Sequence, residues 1–476
     1  MNYITVSACT AAIALSAFFS PIVSAQEHGL SKATIEQARA LRDAAMDGTD
    51  AYSIVESLTT EVGPRLAGSQ AEARARDWGK AKLESLGFEN VRIETFEMET
   101  WERGEEVASL VSPFPQPLMI TALGGSVATP PEGFEAEVAV FESLDALEAA
   151  APGSLKGKIA YVGHAMQATQ DGSSYGFYGR LRREGASIAG ARGALAIMIR
   201  SIGTDSHRMP HTGQMRYSED APRIPAAALS NPDADQIERV AQRGKPIRVQ
   251  LTLTPRAVGT RQSGNVIGDI VGSEHPEEVI IIGGHLDSWD QGTGAVDDGA
   301  GIGVATAAAK AILDSGKRPR RTIRVIYWGA EEVGLLGGSA YLEAHRSELE
   351  NHIIGTESDF GAGKAWQMTA QVSKEGQAVV DLIGQLVAPI GIARGSMDKP
   401  GAGPDLTPMV RAGLPSFRFV QDGMDYFDLH HTPDDTLDKI DPAALDQNVA
   451  AFAVFAWLTA NSTADFRRPV SQEAVK

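Results

Sequence analysis

Five histidine and carboxylate side chains follow apolar segments within one stretch of the chain. They are His285 and Asp287, then Asp297, then Glu331 and Glu332. An ionised side chain at the end of a buried strand costs folding free energy unless it finds a partner. Divalent metal ions are common partners for a mixture of imidazole and carboxylate groups. The pattern therefore predicts a metal-dependent enzyme.

The spacing within this stretch suggests a different task for each side chain. Asp287 lies two residues after His285, so its carboxylate can orient the imidazole ring by a hydrogen bond. Asp297 lies in a glycine-rich turn, where each carboxylate oxygen can reach a separate metal ion. Glu331 and Glu332 point in different directions, so one can bind a metal while the other transfers protons.

Two later segments offer further ligands. Asp359 follows an apolar run and supplies another carboxylate, and the pair His430 and His431 supplies a last imidazole. The only cysteine is Cys9, near the N-terminus. Metal ligands of the mature chain must therefore be His, Asp and Glu, and this donor set suits a pair of zinc ions. Two metal ions about 3.5–4 Å apart can share a hydroxide and lower its pKa.

The elements that must position these side chains are strands alternating with helices. Apolar runs at 279–282, 322–328 and 353–357 predict buried strands, separated by helices at 300–313 and 332–345. Such alternation is typical of a parallel or mostly parallel α/β sheet, whose sites form outside the carboxyl ends of the strands. The expected ligands follow strands at that end.

The rest of the chain shows two other sequence patterns. Residues 31–87 are rich in Ala, Glu and Arg, and we expect them to be helical. Residues 122–254 contain short β-branched runs separated by Gly, Pro and Asp, which predict a separate β-rich insert.

Composition excludes some classes of protein. The 476 residues include 43 Lys and Arg against 61 Asp and Glu, a net charge of −18 that argues against a nucleic-acid partner. The first 25 residues carry no charged side chain and end in Val23-Ser-Ala25, which predicts a signal peptide cleaved after Ala25. Their apolar run is too short to span a bilayer. We therefore expect a secreted or periplasmic protein without a stable membrane span.

Four motifs together carry a family resemblance: His285-Leu-Asp-Ser, Val296-Asp-Asp-Gly, Ala330-Glu-Glu and His431-Thr. They resemble the M28 family of zinc exopeptidases, and the longer string 283–299 is most similar to its carboxypeptidase Q branch. The resemblance implies a three-layer α/β/α catalytic domain with a mixed sheet, formed by 26–121 and 259–476. It also implies an inserted β-rich protease-associated domain at 122–258.

The resemblance also implies a role for each motif residue. Asp297 would bridge two zinc ions, His285 and Asp359 would complete one site, and Glu332 and His431 would complete the other. Glu331 would act as the general base. Beside these residues we expect Asp287, on its spacing alone, to assist catalysis by orienting His285. The activity implied is hydrolysis of dipeptides or short peptides by a metal-bridged hydroxide.

Several alternatives remain open at this point. An aminopeptidase acting on longer peptides would use the same metal core, and a non-catalytic binding protein would keep the fold. All six expected positions are filled, which disfavours the binding protein. The role of His430, catalytic or supporting, is undecided, as is assembly into a homodimer.

The same residues also have purely structural interpretations. Asp297 or Asp298 could cap the following helix, and Glu331-Glu332 could be a solvated helix start. We expect Asp434 and Asp435 to begin another helix, and His345 and His352 to lie at the surface. His207 and His211 have metal-like spacing, but Pro210 between them favours a structural or substrate-contact role.

Overall fold

The structure is a computed structural model that describes residues 29–399 and 401–467. The predicted signal peptide, residues 1–25, lies outside the described residues. The chain forms two eight-stranded sheets flanked by helices. In chain order the strands are β1 (Glu89–Glu102), β2 (Glu106–Ser112), β3 (Gln116–Leu118), β4 (Ile120–Ala122), β5 (Phe134–Phe141), β6 (Lys158–Val162), β7 (Ala196–Arg200), β8 (Ala226–Leu229), β9 (Arg248–Leu253), β10 (Arg256–Ile270), β11 (His275–His285), β12 (Arg321–Trp328), β13 (His352–Glu357), β14 (Ala365–Gln371), β15 (Ala393–Arg394) and β16 (Ser416–Gln421).

The α-helices connect and cover these strands. They are α1 (Lys32–Met46), α2 (Ala51–Glu61), α3 (Gln70–Leu86), α4 (Leu144–Glu148), α5 (Ser173–Ala191), α6 (Asn231–Gln242), α7 (Ala300–Asp314), α8 (Leu336–Ala344), α9 (Lys374–Val387), α10 (Thr407–Arg411), α11 (Tyr426–Leu429) and α12 (Pro442–Asn461). Short helical turns occur at Arg346–Asn351, Ala388–Ile390 and Leu437–Lys439.

The first sheet has the strand order β1-β10-β12-β11-β13-β16-β14-β15. Its centre is parallel, because β11 pairs in parallel with both β12 and β13, whereas β1–β10, β10–β12 and β14–β16 are antiparallel. The fold is therefore a mixed α/β sheet. The parallel register places His285 opposite Trp328, and Gly283 opposite Glu357, at the carboxyl ends of neighbouring strands.

Alternate side chains of the first sheet pack against helices on its two faces. Ile280 and Ile282 of β11 face the larger helical layer, which includes α7 and α12. Ile281 faces the smaller layer, in which Tyr341 of α8 and Met409 of α10 are buried. This alternation is expected of a strand covered on both faces.

Helix α12 is long and apolar enough to cross a membrane by length and composition alone. Nearly all of its residues are buried inside the protein, against α1 and α7. It is therefore a core helix of the larger layer.

The second sheet has the strand order β3-β2-β9-β5-β6-β7-β8-β4 and forms a separate layer over which α5 and α6 pack. Its strands run from Glu106 to Leu253. The expected insert was 122–258. In the second sheet, β2 and β3 precede residue 122, and β10, which begins at Arg256, already belongs to the first sheet. β1 ends at Glu102 and β2 begins only a few residues later, so the segment between the two sheets is too short to show a change of composition.

The helix expected at 332–345 begins later, at Leu336. Ala330 and Leu335 have φ angles of 57° and 60°, in the left-handed region that interrupts a helix. The backbone N–H groups of Gly334 and Leu335 donate to the carbonyl of Glu331 and close a turn over the end of β12. This turn, rather than a helix, presents the two glutamates.

Candidate metal centre

His285 ends β11 with its ring already oriented. Its Nδ1 lies 2.9 Å from the backbone carbonyl oxygen of Asp287, which can accept the Nδ1 proton. Its Nε2 then faces Asp297 Oδ1 at 3.1 Å and Asp359 Oδ1 at 3.9 Å. A neutral imidazole with a carbonyl on Nδ1 has Nε2 free for a metal ion.

The carboxylate of Asp287 does not orient His285 as expected, since Oδ1 lies 3.8 Å from Nδ1. Instead, Oδ1 accepts the backbone N–H of Glu331 at 3.0 Å, and Oδ2 accepts that of Glu332 at 3.3 Å. The side chain is fully buried. Asp287 therefore holds the turn that presents the two glutamates, because a carboxylate is a strong acceptor for adjacent N–H donors.

The turn Ala295–Gly299 carries two adjacent aspartates with different contacts. Asp298 accepts the backbone N–H of Gly301 at 3.0 Å and that of His285 at 2.9 Å, so it caps α7 as expected and also fixes the end of β11. Gly284 permits this close approach, because a Cβ there would lie 2.5 Å from Asp298 Oδ2. Asp297 is left free to face the site.

Asp297 is buried between two imidazole groups. Its Oδ1 faces His285, whereas its Oδ2 lies 3.4 Å from His431 Nε2 and 3.7 Å from His430 Nε2. His431 Nε2 is also 2.9 Å from Glu332 Oε2. Each carboxylate oxygen of Asp297 thus belongs to a different group of donor atoms.

Three overlapping sets of side chains at this site could each hold a metal ion, because the ligand atoms within each set lie within 4.8 Å of one another. They are Asp297, His430 and His431; His285, Glu331 and Asp359; and His285, Asp297 and Glu332. The five expected ligands and Glu331 are therefore gathered in one place, and His430 joins them. His430 stacks on His431 with ring centroids 3.5 Å apart.

Asp435 anchors the Asp297 turn from the C-terminal part of the chain. Its carboxylate accepts the backbone N–H of Val296 at 2.6 Å and that of Asp297 at 3.2 Å. A short helical turn does follow at Leu437–Lys439, but the Asp435 carboxylate binds the Asp297 turn and does not cap that helical turn. Burial raises its pKa to about 7. Asp297 and Asp435, which are far apart in sequence, meet here only in the folded chain.

Two side chains of the second sheet's layer reach the same site. Arg182 of α5 donates to the Tyr175 hydroxyl at 2.6 Å and lies 3.3 Å from His431 Nδ1. His431 Nδ1 is also 3.3 Å from the carbonyl oxygen of Thr212, which can accept its proton and leave Nε2 free. The insert thus helps to orient a candidate ligand of the other layer.

His211 and His352 have structural positions. His211 is buried between the His430 carbonyl and the Asp205 carboxylate, each at 2.7 Å, in agreement with the structural interpretation. His352 was expected at the surface but is buried, with Nε2 2.9 Å from the Tyr341 hydroxyl. Its position in β13, packed against α8, explains the difference.

The electrostatics of the site reflect many buried acids. Burial raises the pKa of Glu331 and of Glu332 well above their ordinary values, and neighbouring carboxylates raise them further. Burial likewise raises the pKa of Asp359 to about 6. Burial lowers the pKa of His431 well below its ordinary value. Burial also disfavours the charged form of His285, but the Asp297 carboxylate outweighs it and raises the pKa of His285 well above its ordinary value. Crowded carboxylates of this kind form a site that attracts cations.

The donor set fits divalent metal ions. It contains imidazole nitrogen and carboxylate oxygen without sulfur, which suits zinc among the borderline metals. Glu332 Oε1 is buried and has no hydrogen-bond partner, and the same is true of His430 Nδ1. Glu332 Oε2 accepts the Trp289 indole N–H at 2.7 Å, which orients the carboxylate. Unpaired buried oxygens of this kind are costly unless a cation or proton binds them.

Sequence reasoning missed several residues of this site. Trp289 and Asp435 lie within or next to the motifs, but an indole and a second Asp of a pair carry no specific signal. Tyr175 and Arg182 lie far from every motif in sequence. No local signal could have identified them, because only the packing of the insert brings them to His431.

Residues 265–456 match peptidase family M28. The chain is 36% identical over 410 residues to carboxypeptidase Q of Bos taurus, covering 86% of this chain and 85% of the relative. It resembles the crystal structure of a peptidase M28 precursor from Shewanella amazonensis SB2B with a TM-score of 0.90 and 49% identity, over 92% of this chain and 99% of that one.

A zinc aminopeptidase of Bacillus subtilis shares the fold with a TM-score of 0.63 and 23% identity, over 88% of this chain and 98% of that one. The match to carboxypeptidase Q spans most of both chains at more than 30% identity. The chain therefore belongs to peptidase family M28 and is a metallopeptidase.

Proposed function

We propose that the protein is an exported dinuclear zinc exopeptidase that hydrolyses dipeptides or short peptides. One observation carries the proposal: the two oxygens of buried Asp297 face two different imidazoles, those of His285 and His431. A carboxylate between two groups of nitrogen and oxygen donors is the arrangement that a pair of metal ions requires. The likeness in fold to a zinc aminopeptidase supports zinc as the metal.

The residues that would hold the two ions are the expected ones. His285 and Asp359 would bind one ion with Asp297, while Glu332 and His431 would bind the other with Asp297. Bound zinc would supply Lewis-acid polarisation of the scissile carbonyl and would lower the pKa of a water molecule. His430, whose Nε2 also faces Asp297 Oδ2, is an additional donor on the second side.

Glu331 would act as the general base. Its backbone is fixed by Asp287, and its carboxylate lies with the donor atoms of His285 and Asp359. It would take a proton from the attacking water and return it to the leaving amine. Burial raises the pKa of Glu331 above its ordinary value, and a carboxylate that is a stronger base accepts a proton from water more readily.

The cavity above these residues limits the size of the substrate. It has a volume of about 550 Å³, and its wall includes Tyr175 from the insert and Phe360 and Phe427 from the catalytic layer. A cavity closed by the insert on one side favours short peptides. We assign the second sheet to the protease-associated domain type, because it lies between β1 and β10, where the resemblance to family M28 implies that domain. We assign export on the N-terminal 25 residues.

The second candidate function is an aminopeptidase that acts on longer peptides. The likeness in fold to a zinc aminopeptidase favours it. An N-acetylated peptide series distinguishes the two, because an aminopeptidase needs a free α-amine. Loss of cleavage on acetylation alone would select the aminopeptidase.

The proposed function is tested with Glu331→Gln in the zinc-loaded protein. We expect the variant to retain zinc and to lose roughly 10²- to 10⁴-fold in kcat on dipeptides, because the proton acceptor is removed while the ligands remain. Glu343→Gln is the matched control, since Glu343 is exposed and pairs only with Arg346 on the surface. Near-normal kcat in Glu331→Gln would refute the assigned base. Absence of peptide cleavage by the zinc-loaded wild type would refute the activity.

A further inference from the structure

A segment of the insert holds the backbone around the candidate ligand His431. Residues 201–213, which we call the clamp segment, follow β7 in the second sheet's layer. The backbone N–H of Thr212 donates to the carbonyl of His431 at 3.0 Å. His211 Nδ1 lies 2.7 Å from the carbonyl oxygen of His430, which can only accept a hydrogen bond, so Nδ1 is the donor. The insert thus binds two successive carbonyls of the ligand segment.

The imidazole of His211 is itself fixed within the clamp segment. Its Nε2 lies 2.7 Å from Asp205 Oδ1, and both side chains are only 1% exposed. The Asp205 carboxylate also accepts the backbone N–H of His207 at 2.8 Å and the side-chain amide of Asn231 at 3.0 Å. His211 is therefore a rigid donor, because its carboxylate partner is held by other groups of the insert.

The backbone of His431 needs such support. Its φ angle is 61°, in the left-handed region that costs free energy for a residue with a Cβ. Such a conformation persists where the surrounding contacts determine it. The carbonyls of His430 and His431 belong to the peptide groups on either side of the His431 Cα, so the two hydrogen bonds from the insert fix both of its backbone rotations.

The insert also supports Glu332, the other ligand expected on the His431 side. The Trp289 indole N–H donates to Glu332 Oε2 at 2.7 Å. Gly124 of the insert lies so close to this indole that a Cβ on Gly124 would collide with the ring. By contrast, the hydrogen bonds of His285 in the described part of the chain all involve the first sheet and its loops. The insert therefore supports the two candidate metal sites unequally.

We propose that the insert, through the clamp segment, sets the zinc affinity of the site that contains His431, with His211 as a positioning residue. This proposal rests on the proposed dinuclear function. The site of Glu332 and His431 is complete only while the insert is docked, whereas the site of His285 and Asp359 is independent of it. The insert joins the first sheet covalently only through residues 103–105 and 254–255, so non-covalent contacts of this kind keep it docked.

The test measures both zinc affinities of His211→Leu by titration in competition with a chelator. Leucine fills a similar space but cannot donate to the His430 carbonyl. We expect zinc affinity at the His431 site to fall about 10- to 100-fold, the usual effect of removing a group that orients a metal ligand. Affinity at the site of His285 and Asp359 should stay unchanged.

His211→Asn is the rescue variant. An asparagine amide can donate in the place of Nδ1, so it should restore most of the zinc affinity that leucine removes. Both variants lose the contact with Asp205, and only the donor to the His430 carbonyl separates them. A purely structural loss would affect the two variants equally.

Tyr161→Phe is the matched control within the insert. The Tyr161 hydroxyl is buried in β6 and donates to Glu238 Oε1 at 2.8 Å, away from the clamp segment, so its loss should leave both zinc affinities unchanged. If His211→Leu does not fold, Thr204→Val tests the same clamp segment. The Thr204 hydroxyl donates to Asp428 Oδ1 at 2.6 Å, and its removal should weaken the His431 site about threefold to tenfold.

Two ligand variants assign the effect to one site. In a His431→Ala background, His211→Leu should not weaken zinc binding further, because the ligand that it positions is absent. In an Asp359→Ala background, His211→Leu should weaken the remaining ion by the same factor as in the wild type. The opposite pattern would place the effect at the other site and overturn the proposal.

Failure of this proposal is distinct from failure of the proposed function. Unchanged zinc affinities in both His211→Leu and Thr204→Val, or an equal loss at both sites, would overturn the clamp and leave the dinuclear peptidase intact. If the wild type binds fewer than two zinc ions, the dinuclear centre fails. Hydrogen exchange of the zinc-free protein then decides the clamp: amides of 427–432 should exchange about tenfold faster in His211→Leu than in Tyr161→Phe, and equal rates overturn it.

Discussion

Replacing Asp287 with Asn tests whether this buried carboxylate acts through the glutamate turn or through His285. The carboxylate accepts the backbone N–H groups of Glu331 at 3.0 Å and Glu332 at 3.3 Å. Asparagine keeps one acceptor oxygen but turns an amide N–H₂ toward the other backbone donor. One charge-assisted hydrogen bond is therefore lost, and the asparagine N–H₂ group faces a backbone N–H, so that two donors meet without an acceptor.

The size of the effect follows from that lost bond. A hydrogen bond to a charged acceptor contributes about 1.5–3 kcal/mol. If the whole loss appears as misplacement of Glu331 in the transition state, kcat falls roughly 10- to 100-fold. Zinc content should fall less than kcat, because His285 Nδ1 is held by the Asp287 backbone carbonyl, which the substitution keeps.

The assay is a double-mutant cycle of Asp287→Asn with Glu331→Gln, with kcat and bound zinc measured for each protein. If Asp287 acts by positioning Glu331, its effect on kcat should largely vanish once Glu331 has lost its base. An undiminished effect in the Glu331→Gln background would refute this reasoning. So would a loss of zinc with little change in kcat, which would return Asp287 to the role of orienting His285.

Two further predictions concern metal binding and pH. His431→Ala should reduce bound zinc from about two ions to about one per chain after dialysis, as measured by elemental analysis. The control His207→Ala, at an exposed histidine, should keep both ions. Full zinc occupancy in His431→Ala would contradict the ligand assignment. Burial lowers the pKa of His352 from 6.5 to about 4, so below pH 6.5 the unfolded chain binds a proton that the folded chain does not. The free energy of unfolding of the zinc-free protein should thus lose about 3 kcal/mol from this group between pH 6.5 and 4. Urea titrations should show a shallower acid loss in His352→Gln; identical pH slopes would contradict it.

Local sequence patterns predicted much of the central sheet. The strands expected at 279–282, 322–328 and 353–357 occur as β11, β12 and β13, because continuous apolar runs are buried on both faces of a parallel sheet. The helix at 300–313 also occurs, as α7. These elements depend on residues that are close in sequence, so their patterns are visible without a structure.

The start of the insert and the turn before α8 could not be predicted from local sequence patterns. Only residues 103–105 connect β1 to the second sheet, and a segment this short shows no change of composition that could locate the boundary. At Glu331, the expected helix gives way to a turn, because the buried Asp287 carboxylate holds the backbone N–H groups that follow the end of β12. In both places tertiary contacts override local preference.

By itself, the sequence determined which residue types follow the apolar strands, and from these came the metal chemistry and the family. It could do so because candidate ligands and the apolar runs that become strands are both visible in short segments of sequence. Only the tertiary structure decided that Asp287 holds the glutamate turn, that Asp435 anchors Asp297, and that Arg182 of the second sheet's layer lies beside His431. Those contacts join residues far apart in the chain or depend on backbone geometry. They form only when the first sheet folds and the second sheet's layer packs beside the ends of its strands.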